Sequence, residues 1–171
     1  MYNFLKKGKE KKKTNKPYKK IVVDINFPKH EDYLGKAADA KINALQSVKE
    51  GKYDKAWGLF QNQKKYYIQH ALECKFTEHQ MLALEVSVDE HLANILRLEG
   101  NHGGAFLSIM RWVVFSGKTT KAQEKKLSAY FNRVKLKNTT IEEVRKFIDS
   151  VQGKCEYKDI EDQVQKWLSM G

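Results

Sequence analysis

Proline, cysteine and arginine are all scarce in this chain of 171 residues: two prolines, two cysteines, and four arginines among 32 basic side chains. Both prolines, Pro17 and Pro28, precede residue 30, so everything after them is free of the strongest helix breaker. Two cysteines, Cys74 and Cys155, argue against a disulfide scaffold. With no apolar run behind the first lysines to act as a secretory signal, they predict reduced thiols in a cytoplasmic setting. Long apolar runs are missing as well. The most apolar window, Ala105 to Phe115, falls well short of the ~20 residues a membrane span needs, so no transmembrane segment is expected.

Catalytic signatures are also lacking. There is no glycine-rich phosphate loop, no serine nucleophile elbow and no HExxH motif. Ser116-Gly117-Lys118-Thr119-Thr120 has the ending of a phosphate loop without its upstream glycine or preceding strand. His70 and Cys74 lie one helical turn apart with Glu73 and His79 nearby, but zinc sites want four ligands at tighter pair spacing. The expectation is a non-enzyme with no cofactor and no metal.

What the chain has in quantity is lysine, and it is unevenly spread. Residues 1–20 hold Lys6, Lys7, Lys9, Lys11, Lys12, Lys13, Lys16, Lys19 and Lys20 against one acid, Glu10, which is +8 of the formal +11. A second island, residues 117–137, adds +6 through Lys118, Lys121, Lys125, Lys126, Arg133, Lys135 and Lys137 against Glu124. The rest is nearly balanced. Concentrated positive charge predicts a polyanionic partner. The scarcity of arginine favours point-charge attraction to phosphate over bidentate reading of bases. No helix-turn-helix, zinc-finger or RNA-recognition signature accompanies it. The predicted function is a nucleic-acid-binding accessory or adaptor, RNA or DNA, contacting the phosphate backbone without strong sequence preference through all sixteen of these side chains. Tyr2, Phe4 and Tyr18 in the arm are placed to stack on unpaired bases. Tyr130 and Phe131 lie among the island's lysines, where Leu127, Tyr130 and Val134 form a separate stripe expected to pack inward. An anionic membrane surface is a weaker reading of the same arm.

The body reads as helical throughout. Apolar spacing predicts an all-α domain over residues 30–171, built from six or seven antiparallel helices in hairpins, behind a flexible or extended basic arm over 1–29. Within that arm Ile21-Val22-Val23-Asp24-Ile25 is β-prone and is expected to lie extended across the helices. Leu34, Ala38, Ile42, Leu45 and Val48 form the apolar stripe of a first helix ended by Gly51. A second runs from about Asp54 to Ala71. Thr77 with Gln80 forms a capping box that opens a long third helix ended by Gly100. Residues 103–115 are apolar almost all round and should be the buried centre. Helices over about 120–134, 140–151 and 157–168 follow. Arg111 shares a stripe with Gly104, Ser108 and Lys118 and is expected to face solvent or the basic island, and Asp89-Glu90-His91 to form a charged outer face.

Gly51-Lys52-Tyr53-Asp54-Lys55-Ala56 and Gly100-Asn101-His102-Gly103-Gly104-Ala105 echo one another, with Phe60 and Ile109 filling a large apolar position four residues after each alanine. This resembles the turn of a tetratricopeptide repeat over residues 31–116, where Leu92 and Ala93 also match the preceding helix. The two units stand 49 residues apart, where the family repeats at about 34. Asn43 and Gln63 depart from its pattern, and no closing proline follows. The resemblance implies helical pairs lining a groove for a peptide or extended ligand, and an alternative function as a protein-interaction adaptor.

Overall fold

Caps and glycine stops set the helix boundaries where the sequence places them. The computed structural model describes residues 31–170, in which the helices are α1 (Tyr33–Lys49), α2 (Tyr53–Glu73), α3 (Glu78–Val86), α4 (Asp89–Leu98), α5 (His102–Phe115), α6 (Lys121–Val134), α7 (Ile141–Val151) and α8 (Tyr157–Ser169). Among the described residues there is no strand, and no helix is long and apolar enough to cross a membrane. The lysine arm and the Ile21–Ile25 stretch lie outside the described residues.

Thr77, Thr120 and Thr140 each accept a hydrogen bond from the amide three residues on, while the Gln80, Gln123 or Glu143 side chain answers the threonine amide. These capping boxes fix where α3, α6 and α7 begin. Gly51 and Gly100 stop α1 and α4 at φ +72° and +80°, a region in which a side chain is strained. The long third helix is interrupted: the Ser87 hydroxyl donates to the Leu84 carbonyl at 2.6 Å, and the Val88 amide turns to Glu85 instead of closing a full helical turn. Taken as one interrupted helix, α3–α4 makes seven helices over the described residues; taken apart, eight.

α5 is the hub. It packs against α3, α4, α6, α7 and α8. Phe106, Ile109, Met110 and Val113 are fully enclosed, with Leu127 from α6, Val144 from α7 and Ile160 and Val164 from α8 closing round them. A second, smaller core joins α1, α2 and α4 through Ala44, Ala56, Phe60, Leu92 and Ile95. Here His91 stacks on Phe60, the rings 5.0 Å apart and 8° from parallel. Burial, seconded by Lys41, holds the His91 pKa below its usual 6.5. The folded state therefore binds fewer protons than the unfolded chain in the window below 6.5. This contribution to stability is intact above that pH and is lost as pH falls through the lowered value. Urea unfolding at stepped pH should show the loss in the native protein and a flatter slope in His91→Phe.

α1 is turned differently from expectation. The residues it buries are Ala37, Ala40, Ala44 and Ser47. Leu34, Ile42 and Leu45 stand 46%, 63% and 38% exposed, and Ala38 is exposed with them; only Val48 of the predicted stripe packs inward. The inward face carries the small residues because they let the α1 and α2 backbones approach closely, and this pair forms the most extensive helix pairing in the fold.

Candidate nucleic-acid interface

α6 carries the second basic island and is clamped so that its polar face turns outward. The Gln123 side chain, part of the α6 capping box, also donates to the Trp112 carbonyl of α5 at 3.3 Å. Leu127 and Tyr130 are buried below. Gly117, at φ +83°, closes α5, and its carbonyl accepts from the Gln152 amide, tying the approach to α6 against the end of α7. With the inner face fixed, Lys121 and Lys125 point away from the core and are exposed, as are Lys118, Lys135 and Lys137. None of these five has an acidic partner within 4 Å among the described residues.

Lys126 departs from the expected patch. One residue beyond Lys125 it is turned by about 100°, toward α4, where it pairs with Glu90 and lies 5.9 Å from the Trp112 ring centre. Arg133 is exposed but partly engaged, donating to the Ala129 carbonyl at 3.0 Å and lying over Tyr130 at 5.6 Å. On the other flank Arg145 is held by Glu124 at 2.5 Å and Glu142 at 3.3 Å. Tyr130 is buried beside Leu127, as the inward stripe predicts, and the partly buried Phe131 packs edge-on to Phe106 at 6.1 Å.

Lys118 precedes α6 and Lys121 occupies its first turn. The amino end of a helix is already positive, so a cation there costs the helix about 0.3–1 kcal/mol at an exposed site. Helix stability does not account for these two lysines. With the helix dipole they make a cationic end suited to an anion.

The other concentration of charge is internal, and the sequence reading missed it. Asp89, 2% exposed, holds Lys64 of α2 at 2.5 Å, with Glu85 of α3 at 3.8 Å from the same ammonium. Burial raises the Asp89 carboxyl against the opposing pull of Lys64. Arg111 faces solvent only in part, its side chain 29% exposed. It sits 5.4 Å over the Tyr157 ring and reaches Glu161 at 3.8 Å, both on α8. Burial, with Glu85 and Asp89 adding their repulsion, pushes the Tyr157 phenol far above its ordinary range. Asp89 Oδ2, Arg111 Nε and Tyr157 Oη are buried without a partner, the type of group an enclosed water satisfies. Asp89, Glu90 and His91 thus fan out to Lys64, Lys126 and Phe60 instead of forming one charged face. A signal existed: Lys64 falls one turn after Phe60, and Tyr157 one turn before Ile160, on faces otherwise apolar.

The Cys74 sulfur lies 3.7 Å from His70 Nε2, and His70 stands edge-on to Phe76 at 5.6 Å. Among the described residues no group of three or more His, Cys, Asp or Glu side chains is placed to hold a metal ion. A groove of about 270 Å³ runs between α1 and α2, lined by Lys36, Asp39, Asn43, Leu59, Asn62 and Tyr66.

The two echoed turns share one backbone. The residues after the α1 and α4 stops, Lys52 and Asn101, take φ/ψ of −89°/68° and −80°/75°. Ala56 and Ala105 are both fully buried, as are Phe60 and Ile109. The expected ring plug holds only in the first unit, where Tyr53 packs on the smaller core; His102 is exposed. Compared with protein-family models, curated proteins and solved structures, the chain matches none of them.

Proposed function

We propose that this is a non-catalytic nucleic-acid-binding accessory protein of the cytoplasm, holding RNA or DNA by its phosphate backbone without strong sequence preference. The observation that carries the reading is the exposed lysine set on α6 and its two ends, Lys118, Lys121, Lys125, Lys135 and Lys137, unpaired among the described residues. The nine lysines of residues 1–20 add a second cationic contact. Lys126 is left out of the contact set because Glu90 neutralises it. With Tyr130 and Phe131 committed to packing, the α6 face supplies charge and no base-reading surface, which favours backbone contact alone.

Labelled single- and double-stranded oligonucleotides titrated against three full-length proteins test this: the native chain, one with the nine arm lysines changed to glutamine, and Lys118→Glu/Lys121→Glu/Lys125→Glu. Native binding should weaken steeply with salt, by about 0.9 log unit per log unit of salt for each duplex phosphate neutralised. Each variant should bind at least about tenfold more weakly at low salt and show a shallower slope. Salt-independent binding, or equal affinity for all three proteins, would overturn the reading.

A protein-interaction adaptor is the second reading. It is favoured by the apolar stripe on α1 and the neighbouring groove between α1 and α2, and it takes the helical pairs as antiparallel hairpins of a repeat-like layer. A pull-down that recovers the same partner from native and lysine-neutralised protein would support it.

A further inference from the structure

Each of the two helices that border the groove between α1 and α2 brings one stripe of side chains to it. Lys36, Ala40 and Asn43 stand at steps of four and three along α1, with Asp39 beside them; Leu59, Asn62 and Tyr66 stand at steps of three and four along α2. Ala40 is buried and Leu59 half-buried, whereas Asp39, Asn43 and Asn62 are exposed, so the groove is apolar at depth and polar at its edge. Helix stability does not explain the two asparagines. Each stands in the interior of its helix, where asparagine is a poor choice because its amide competes for the backbone. Asn94, Asn101 and Asn138 bond to other groups of the protein, namely Arg97, the Gly104 amide and the Met170 carbonyl. Asn43 and Asn62 have no side-chain partner among the described residues.

Charge decides what such a groove accepts. Lys36 is paired with Glu31, and Asp39 has no cation within 4 Å among the described residues. The lining is therefore net negative and repels a phosphate. The Asp39 carboxylate only accepts hydrogen bonds, while each asparagine amide both donates and accepts. Tyr66 adds a half-buried ring, its centre 5.9 Å from the Lys36 ammonium. A neutral planar ligand, with apolar faces and an edge of amino and ring-nitrogen groups, meets all of these at once. At about 270 Å³ the groove is smaller than the roughly 300–1,000 Å³ of sites for drug-sized ligands, which suits one ring system better than a peptide.

We propose that this groove takes one unpaired base, adenine by preference, from a single strand held by its phosphates elsewhere on the protein. This occupant rests on the nucleic-acid reading and adds a base contact that the α6 face does not supply. Asparagine pairs with adenine at two points, accepting from the N6 amino group and donating to N7. The second asparagine and Asp39 serve the rest of the edge. The Tyr66 ring gives the base a face to stack on. A base inside a duplex cannot enter a groove between two helices, so the contact belongs to single strands.

Three single strands of equal length, titrated against the full-length protein, test this: oligodeoxyadenosine, oligodeoxythymidine and an abasic strand with the same phosphates. The native protein should bind the adenine strand about tenfold more tightly than the abasic one. Thymine, which has no amino group for Asp39 or the asparagines to accept from, should fall between them. Asn43→Ala/Asn62→Ala should lose the preference for adenine and keep the affinity for the abasic strand. Alanine is the better helix former at both positions, so the fold is not at risk. Asn132→Ala, an exposed change on α6, should keep the preference. Equal native affinity for the adenine strand and either of the others would overturn the proposal, as would a preference that survives in Asn43→Ala/Asn62→Ala. Either result would leave phosphate binding in place. If the native protein bound none of the strands, the proposed function would fall and the base contact with it.

Discussion

Replacing Asp89 with alanine lowers the unfolding free energy by about 3 kcal/mol, because Lys64 keeps its charge in a largely enclosed site and loses its counter-ion. Breaking a buried pair can cost up to ~5 kcal/mol, but the Lys64 side chain is 14% exposed and can turn its ammonium toward water, which favours the lower end. The loss should fall on both ends of the interrupted helix, since the ammonium also faces Glu85 on α3. Urea denaturation monitored at Trp112 and Trp167 reads it directly. The paired change Lys64→Met with Asp89→Leu recovers most of the stability, because it removes both charges and their desolvation together. A lone Asp89→Ala that left the midpoint unmoved would show that the ammonium is already hydrated and that the contact counts for little.

Phe60→Ala is the second large effect, a loss of about 3–5 kcal/mol. Phe60 is fully buried, and its ring is one wall of the small core that joins α1, α2 and α4. That core has few large members, so alanine leaves a cavity that its neighbours Ala44 and Ala56 are too short to fill. Removing the ring also uncovers His91, whose stacked partner is gone. The damage should be local first. Hydrogen exchange should show the amides of α1 and α2 losing protection while those of α5, seated in the larger core, keep theirs. Uniform loss over all the described helices would mean that the two cores unfold as one unit.

The sequence read well wherever a local signal fixes local geometry. Thr77 with Gln80 placed the start of α3, Gly51 and Gly100 placed two stops, and a segment apolar almost all round identified α5 as central. Where a side chain has two places to go, it read poorly. Arg111 was expected outward from its stripe with Gly104 and Lys118, yet it lies against Tyr157, because α8 returns to cover that side of α5. The stripe of Leu127, Tyr130 and Val134, by contrast, packs inward as its spacing predicts.

Of the candidate interface, the charge was legible and its availability was not. That Lys121 and Lys125 share an outward face follows from a 3.6-residue turn, while Lys118 lies ahead of α6 and is placed by the turn after α5. That Lys126 is neutralised by Glu90, 36 residues earlier, depends on where α4 is set beside α6.

Taken alone, the sequence determined the helices other than the break between α3 and α4, most of their stops and the sites of excess charge, since each is fixed by neighbours within about one turn. Tertiary structure decided which face of each helix met a partner. α1 shows the reason: it has one apolar face of alanines and another of leucine and isoleucine, and periodicity ranks the larger side chains first. Close approach to α2 selected the smaller ones, because the gain from packing depends on the distance between two backbones, a quantity that no single helix contains.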